Sequence, residues 1–496
     1  MNSQIWLALL APAIFIPIVY FVGKKIGKRV SWIAFIPLIL SFVIFLSLLP
    51  EVSHGPIEEY FTWLPGTRFG LPVDSLSLPI LLTIAALSTI IVIYSNPYME
   101  HSIHEQYHGE NNTAHAAYYA LYLAYATSMM GVVLSTNLIG FFLFFELMIV
   151  PSWALINYYG TGDREKIALM YFLWSIVGAA IFLTGALTAY ATIHSFEISD
   201  LVLLQGNPRA AFIVAMMLIG LSVKLAMFGL HTWLPFAHAE APTPISALLS
   251  PAMIGLAAYA MVRLLIPIHV LQDFTSLTLL WGLITIVYGG LMVLSQNDIK
   301  RLLAYSSVSQ MGYLFIGLTS ATTLGISGSM LHYISHGLGK AALFLTAGAI
   351  MHQTSYRDIR SLGGLAARMP LSTIAFIIGC LNLAGLPPTM GVISKHLILD
   401  GAFEHGLSAP SPELFIAIIK IITTALTIGY TLLTVRRIFF GPLPEQLKDV
   451  KEAPLHMTIP IIVLCLFSIL LGLYPKPILE PLMEIVEQLV HMRGGM

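Results

Sequence analysis

The sequence predicts an all-α integral membrane protein of about fourteen transmembrane helices, two of them broken. Three observations carry that expectation. The 496 residues are 57% hydrophobic and only 10% charged, with a mean hydropathy of +0.83, whereas soluble domains are roughly a quarter charged. Apolar runs of spanning length recur along the whole chain, mostly with short connections between them. Basic residues in those connections fall mainly on alternate sides.

A span needs about 20 apolar residues. By that rule the spans fall near 5–22, 31–49, 74–94, 117–134, 137–157, 166–192, 211–231, 243–268, 275–295, 302–320, 325–350, 371–400, 414–436 and 456–474. The first, Ile5 to Val22, has no basic leader and no small-residue cleavage site, so it reads as a span and not a removed signal. No connection is long enough for a soluble domain. The tail after Tyr474 has apolar positions at helical spacing and is expected to form a short surface helix.

Loop charges test this count. With the N-terminus outside, the inside loops hold Lys24, Lys25, Lys28, Arg29, Arg164, Lys166, Lys300, Arg301, Arg357, Arg360, Arg368, Arg436, Arg437, Lys448 and Lys451. Outside segments hold Arg68, Arg209, Lys476 and Arg493. That fifteen-to-four asymmetry is the one membrane topology requires. The connection 95–116 stands apart, with no Lys or Arg but with His101, His104, His108 and His115. It reads as a solvated polar loop, with metal binding as the alternative.

A balance of 24 basic and 25 acidic residues leaves no basic stripe for nucleic acid. Cys380 and Cys465 lie far apart in apolar stretches and match neither a zinc nor an iron–sulfur spacing, so both read as small apolar fillers. No metal or cofactor is expected in this chain.

Six charges remain at bilayer depth: Glu146, Lys224, Arg263, Lys340, Lys395 and Lys420. Each costs about 2.5–3.5 kcal/mol on insertion scales unless it meets a partner or water. Lysine suits proton transfer because burial lowers its pKa from about 10.4 by several units, and a nearby carboxylate raises it again. A Glu146–Lys224 pair of changing separation is therefore a proton switch; a static ion pair joining two helices fits the same placement. Arg263 and Lys420 fit side chains snorkelling toward a span end.

In the eleventh span His332, His336 and Lys340 follow at i, i+4 and i+8, stacked on one helical face about 6 Å apart per step. Three titratable groups in line make a proton wire. Two spans carry breaks: Lys224 precedes His231-Thr-Trp-Leu-Pro-Phe-Ala-His238-Ala-Glu-Ala-Pro-Thr-Pro244, and Leu383-Ala-Gly-Leu-Pro-Pro388-Thr-Met-Gly391 precedes Lys395. Unwound backbone at membrane depth is tolerated only against protein or a water-filled cavity. A lysine beside each break, one in each half of the chain, fits the repeat plan of transporters.

The stretches His231–Pro244, Gln296-Asn-Asp-Ile-Lys-Arg-Leu-Leu-Ala-Tyr-Ser-Ser-Val-Ser-Gln-Met-Gly312 and His332-x3-His336-x3-Lys340 strongly resemble the antiporter-like subunits of respiratory complex I, Mrp-type antiporters and membrane-bound hydrogenases. The resemblance spans about residues 70 to 440 and is nearest to the middle, chain 4 or M-type, subunit. It implies two inverted five-helix repeats, each giving half a proton channel and the two joined by a buried Glu/Lys/His axis: an N-terminal segment over 1–110, repeats over 111–270 and 271–440, and a final span with a tail over 441–496. It also implies that Glu146 and Lys224 form the controlling pair, that Lys340 with His332 and His336 carries a central axis, and that Lys395 serves the exit.

Three departures stand out. Phe236 takes the place of a frequent Asp, and Gly255 that of a frequent lysine, so the link from Lys224 to Lys340 falls to water, His231 or His238. At the exit, Lys395 stands where the middle subunit usually has Glu. The chain also ends before the long lateral helix of the distal subunit.

The resemblance implies a proton-translocating, non-redox subunit of a complex I-like oxidoreductase. Its expected partners are adjacent antiporter-like subunits, a peripheral redox module carrying flavin and iron–sulfur clusters, and the lipid bilayer of a bacterial or archaeal cytoplasmic membrane. A sodium/proton antiporter subunit, an assembly-only subunit and an unrelated solute carrier are the competing readings.

Overall fold

A computed structural model describes residues 4–64, 67–407 and 413–492. Arg493, expected as an outside charge, lies beyond them, and the Lys420 side chain is likewise outside the described part. Helices α1 (Gln4–Ile26), α2 (Val30–Ser47) and the one-turn α3 (Leu49–Val52) lead into an antiparallel hairpin of β1 (Ile57–Leu64) and β2 (Thr67–Val73). The hairpin, with Tyr60 opposite Gly70, is the one sheet among the described residues of an otherwise helical chain. Its sequence signal is the β-rich run Tyr60-Phe-Thr-Trp-Leu64 before the turn dipeptide Pro65-Gly66.

Helices α4 (Ser77–Tyr107) and α5 (Asn112–Val133) follow. The expected loop over 95–116 shrinks to residues 108–111, because α4 continues through Tyr107 and Asn111 caps α5 by accepting the Ala114 N–H at 3.0 Å. His115, expected in solvent, is buried on the first turns of α5.

The next group is α6 (Leu138–Leu147), α7 (Ile149–Tyr159), α8 (Arg164–Ile193) and α9 (Ala210–Lys224), then α10 (Trp233–Glu240), α11 (Thr243–Leu248) and α12 (Leu256–Leu265). A second group comprises α13 (Thr275–Ser295), α14 (Ile299–Thr319), α15 (Thr323–Thr354), α16 (Pro370–Ala384), α17 (Gly391–Leu407) and α18 (Glu413–Phe439). The chain closes with α19 (Leu455–Leu473) and the helix expected after Tyr474, α20 (Lys476–His491).

Among the described residues nine helical runs are long and apolar enough to cross a membrane. The first, Gln4–Val52, holds both α1 and α2, which pack on each other. Elsewhere breaks shorten the helices, leaving α9 and α16 as apolar pieces of 15 residues each. Close helix approach depends on missing side chains: a Cβ on Gly220 of α9 would lie 2.6 Å from the Gly178 carbonyl of α8. Helix α15 forms the central column, packed by α4, α11, α14, α16, α17 and α19 and buried over nearly its whole length.

Candidate functional site

Both predicted breaks are present, the first opening at a lysine and the second followed by one within two helical turns. Helix α9 stops at Lys224, and the chain passes through Ala226 (φ +57°) and Gly229 (φ +89°) before α10 begins at Trp233. Helix α16 stops at Gly385 (φ +72°), the Pro387–Pro388 bond is cis, and Lys395 lies in the second turn of α17. A third interruption falls beside Glu146, in the last turn of α6 before Met148.

Lys224 is 2% exposed and Glu146 half-buried, and Glu146 is the charge that acts on Lys224. They stand apart: neither Lys224 Nζ nor Glu146 Oε1 has a hydrogen-bond partner among the described groups. Instead the ammonium lies 5.4 Å from the Phe145 ring centre and 5.5 Å from that of Tyr171. Cation–π attraction of this kind is worth about 0.5–2 kcal/mol, less than an ion pair in a dry site. The geometry is that of an open pair.

Lys340 is fully buried on α15. Its ammonium donates to the Leu303 carbonyl at 2.6 Å and to Ser306 Oγ, both on α14. The His332 and His336 rings stand 6.1 Å apart below it, as the i, i+4 spacing requires. His332 Nδ1 shares a hydrogen bond with Ser394 Oγ at 3.0 Å, and the neighbouring Lys395 ammonium sits 4.1 Å over the Tyr313 ring with no hydrogen-bond partner among the described groups. Lys395 is in electrostatic reach of both histidines. His238 of α10 stacks on Phe344, ring centres 5.1 Å apart, within reach of Lys340, Lys300 and His336.

The structure therefore gathers His238, Lys340, His336, His332 and Lys395 into one buried line. His231 is placed differently. Its ring packs 4.8 Å from Tyr288 and 5.9 Å from Phe228.

Two of the three departures, Gly255 and Phe236, each have a physical counterpart. A Cβ on Gly255 would run into the Tyr333 ring, whose hydroxyl donates to the Ala252 carbonyl at 3.0 Å, so Tyr333 takes the space beside a backbone that carries no side chain there. Phe236 lies under the Arg301 guanidinium at 5.2 Å.

Arg263, which the sequence leaves without a firm role, has a charged partner. Its Nη2 pairs with Asp74 Oδ2 at 2.7 Å, both side chains largely buried. Lys300, read as a loop charge, is 3% exposed and donates to the Ala241 carbonyl. Beside it Arg357 pairs with Asp298 at 2.9 Å and with Glu240 at 3.7 Å. Sequence reading missed this cluster because its members lie at helix ends. The signal was present, since Glu240, Asp298 and Lys300 sit inside two of the three motifs.

A family described as NADH:quinone oxidoreductase/Mrp antiporter matches residues 135–427, and one described as NADH-Ubiquinone oxidoreductase (complex I), chain 5 N-terminus, matches residues 64–108. The NADH-quinone oxidoreductase subunit M of Rickettsia prowazekii is 32% identical over 480 residues, covering 94% of each chain. The F(420)H(2) dehydrogenase subunit M of Methanosarcina mazei is 28% identical, covering 99% of this chain and 98% of its own. A chain of the Mrp complex from Dietzia sp. DQ12-45-1b shares the fold with a TM-score of 0.87 at 21% identity, over 99% of this chain and 98% of that one.

Proposed function

The chain belongs to the NADH:quinone oxidoreductase/Mrp antiporter family, and on that footing we propose that it is a proton-translocating, non-redox membrane subunit of a complex I-like oxidoreductase. The observation that carries this reading is the buried line from His238 through Lys340, His336 and His332 to Lys395, with the open Glu146–Lys224 pair on the other half of the chain. Buried ionisable groups in a membrane protein mark ion paths and proton relays. Closing the Glu146–Lys224 pair favours the charged lysine and loads it, and opening the pair drives its proton toward Lys340.

The fourteen spans, the inverted repeats over 111–270 and 271–440, and an N-terminus on the outer side belong to the same reading. The alternation of α9 and α16, each ending at a break beside a lysine, supports the repeats. Flavin and iron–sulfur clusters belong to partner subunits, and coupling reaches this chain through charge and conformation.

The test is direct. In the assembled complex, Lys224→Ala or Glu146→Gln abolishes proton pumping while the redox modules stay intact; a normal proton-to-electron ratio in either variant refutes the role. A stand-alone Mrp-type sodium/proton antiporter subunit is the second reading, favoured by the shared fold and by lysine at position 395. Flavin and iron–sulfur subunits that co-purify with the chain decide for the redox-driven pump, and their absence decides for the antiporter.

A further inference from the structure

Away from the lysine line, a polar cavity of about 320 Å³ opens at the basic turn between α1 and α2. Lys28, Glu100, His104, Glu110, Asn112 and His115 line it. From His115 inward, α5 presents Tyr118, Tyr119, Tyr122 and Tyr125, all fully buried. The spacing keeps them on one broad side of the helix. The ten residues from His115 to Tyr125 rise about 15 Å, half the thickness of a bilayer core.

This face is polar in a way that packing does not explain. Tyr118 donates to Ser95 Oγ at 3.3 Å, and Tyr122 donates to the Ser88 carbonyl at 2.8 Å. Three further polar atoms along the same line are buried without a hydrogen-bond partner among the described residues, His115 Nδ1, Ser88 Oγ and Tyr125 Oη, while Tyr119 Oη lies beside Ser31 without closing a hydrogen bond of good geometry. A buried hydroxyl without a partner is costly to keep, and phenylalanine fills the same space without that cost. Orphaned polar groups in a row are what a file of bridging waters requires.

The inner end approaches the controlling pair by way of Tyr171. Tyr125 lies within electrostatic reach of Tyr171 and Tyr333. Tyr171 shares a hydrogen bond with Ser152 at 2.8 Å and lies in turn within reach of Glu146, while its ring faces Lys224.

We propose that the tyrosine face of α5 is the proton uptake route, leading from the cavity at the basic turn past His115 and along Tyr119, Tyr122 and Tyr125 to Tyr171 and the Glu146–Lys224 pair. It rests on the proton-translocation reading given above. Each hydroxyl or water accepts a proton on a lone pair and passes its own to the next acceptor. No phenol changes net charge or oxidation state, and the proton ends on Lys224 or Glu146.

The experiment compares Tyr119→Phe/Tyr125→Phe with the parent in the assembled complex, in sealed vesicles, alongside Lys224→Ala. Because neither hydroxyl removed closes a hydrogen bond of good geometry among the described residues, assembly and thermal stability are expected to hold or rise. Proton translocation is expected to slow several-fold, with a solvent deuterium isotope effect larger than the parent's. Translocation at the parental rate in the double variant, with Lys224→Ala still blocking it, overturns the uptake route and leaves the lysine line standing. Parental rates in Lys224→Ala as well overturn the reading beneath it. If the double variant fails to assemble, Tyr125→Phe and Ser88→Ala are expected to slow translocation singly, and parental rates in both overturn the route.

Discussion

Arg263 and Asp74 meet at 2.7 Å although 189 positions separate them in the chain, and their side chains are 18% and 9% exposed. Removing one partner of a buried ion pair strands the other charge at a cost of about 3–5 kcal/mol, whereas removing both is far cheaper. Asp74→Asn alone is therefore expected to lower the thermal stability of the purified complex markedly, and Asp74→Asn with Arg263→Leu to recover most of the loss. Equal losses in the single and double variants would show that the pair carries no coupling. The arginine was visible in the sequence as a charge at membrane depth; its partner was not, because position along a chain says nothing about what a fold brings to face it. The lysines fared better for a physical reason. The i, i+4, i+8 register of His332, His336 and Lys340 is local, so helix geometry alone puts them in line.

At the scale of elements, the broken helices were legible because glycine and proline announce them. Which backbone positions hold each break open is a matter for the structure. Gly385 adopts φ +72°, and a Cβ there would come 2.9 Å from Lys395 Cδ. Gly206 adopts the same φ of +72°, but a Cβ added there would meet nothing within 4 Å. Alanine at either position takes on roughly 1–2 kcal/mol of left-handed backbone strain, so the two substitutions share one cost and differ in the other. Gly385→Ala is expected to displace the Lys395 stem and reduce proton translocation, while Gly206→Ala loses a comparable amount of stability and translocates normally. Equal translocation in the two variants would show that the position of Lys395 is immaterial. The hairpin and the helical run through 95–107 escaped the span count because spans are measured by apolar length, and neither is an apolar run of spanning length.

The whole molecule brings together segments that the chain keeps far apart. Lys340 of α15 donates to Leu303 of α14, Lys300 of α14 donates to Ala241 after α10, and His238 of α10 lies in reach of both lysines. All three motifs quoted from the sequence thus meet at one place, although no single window shows it. On the side of α15 toward the first group, Tyr333 packs against Gly255 and donates to the Ala252 carbonyl, next to Met253, whose sulfur accepts from Tyr171, the ring that faces Lys224. Two architectures are consistent with a lysine in each half of the chain: two half-channels joined into one path across the molecule, or two separate channels each moving its own proton. Double substitution separates them. Along a single series path, blocking either step stops all flow, so Lys224→Ala with Lys340→Met loses no more translocation than either change alone. Independent channels add, so each single variant keeps part of the flux and the double loses the sum. Because His238 links α10 to Lys340, the series outcome is the expected one: full loss in each single variant, and no further loss in the double, measured as proton uptake into sealed vesicles per electron transferred. Partial, additive losses would mean that Tyr333 is a wall between two channels and not a crossing point within one.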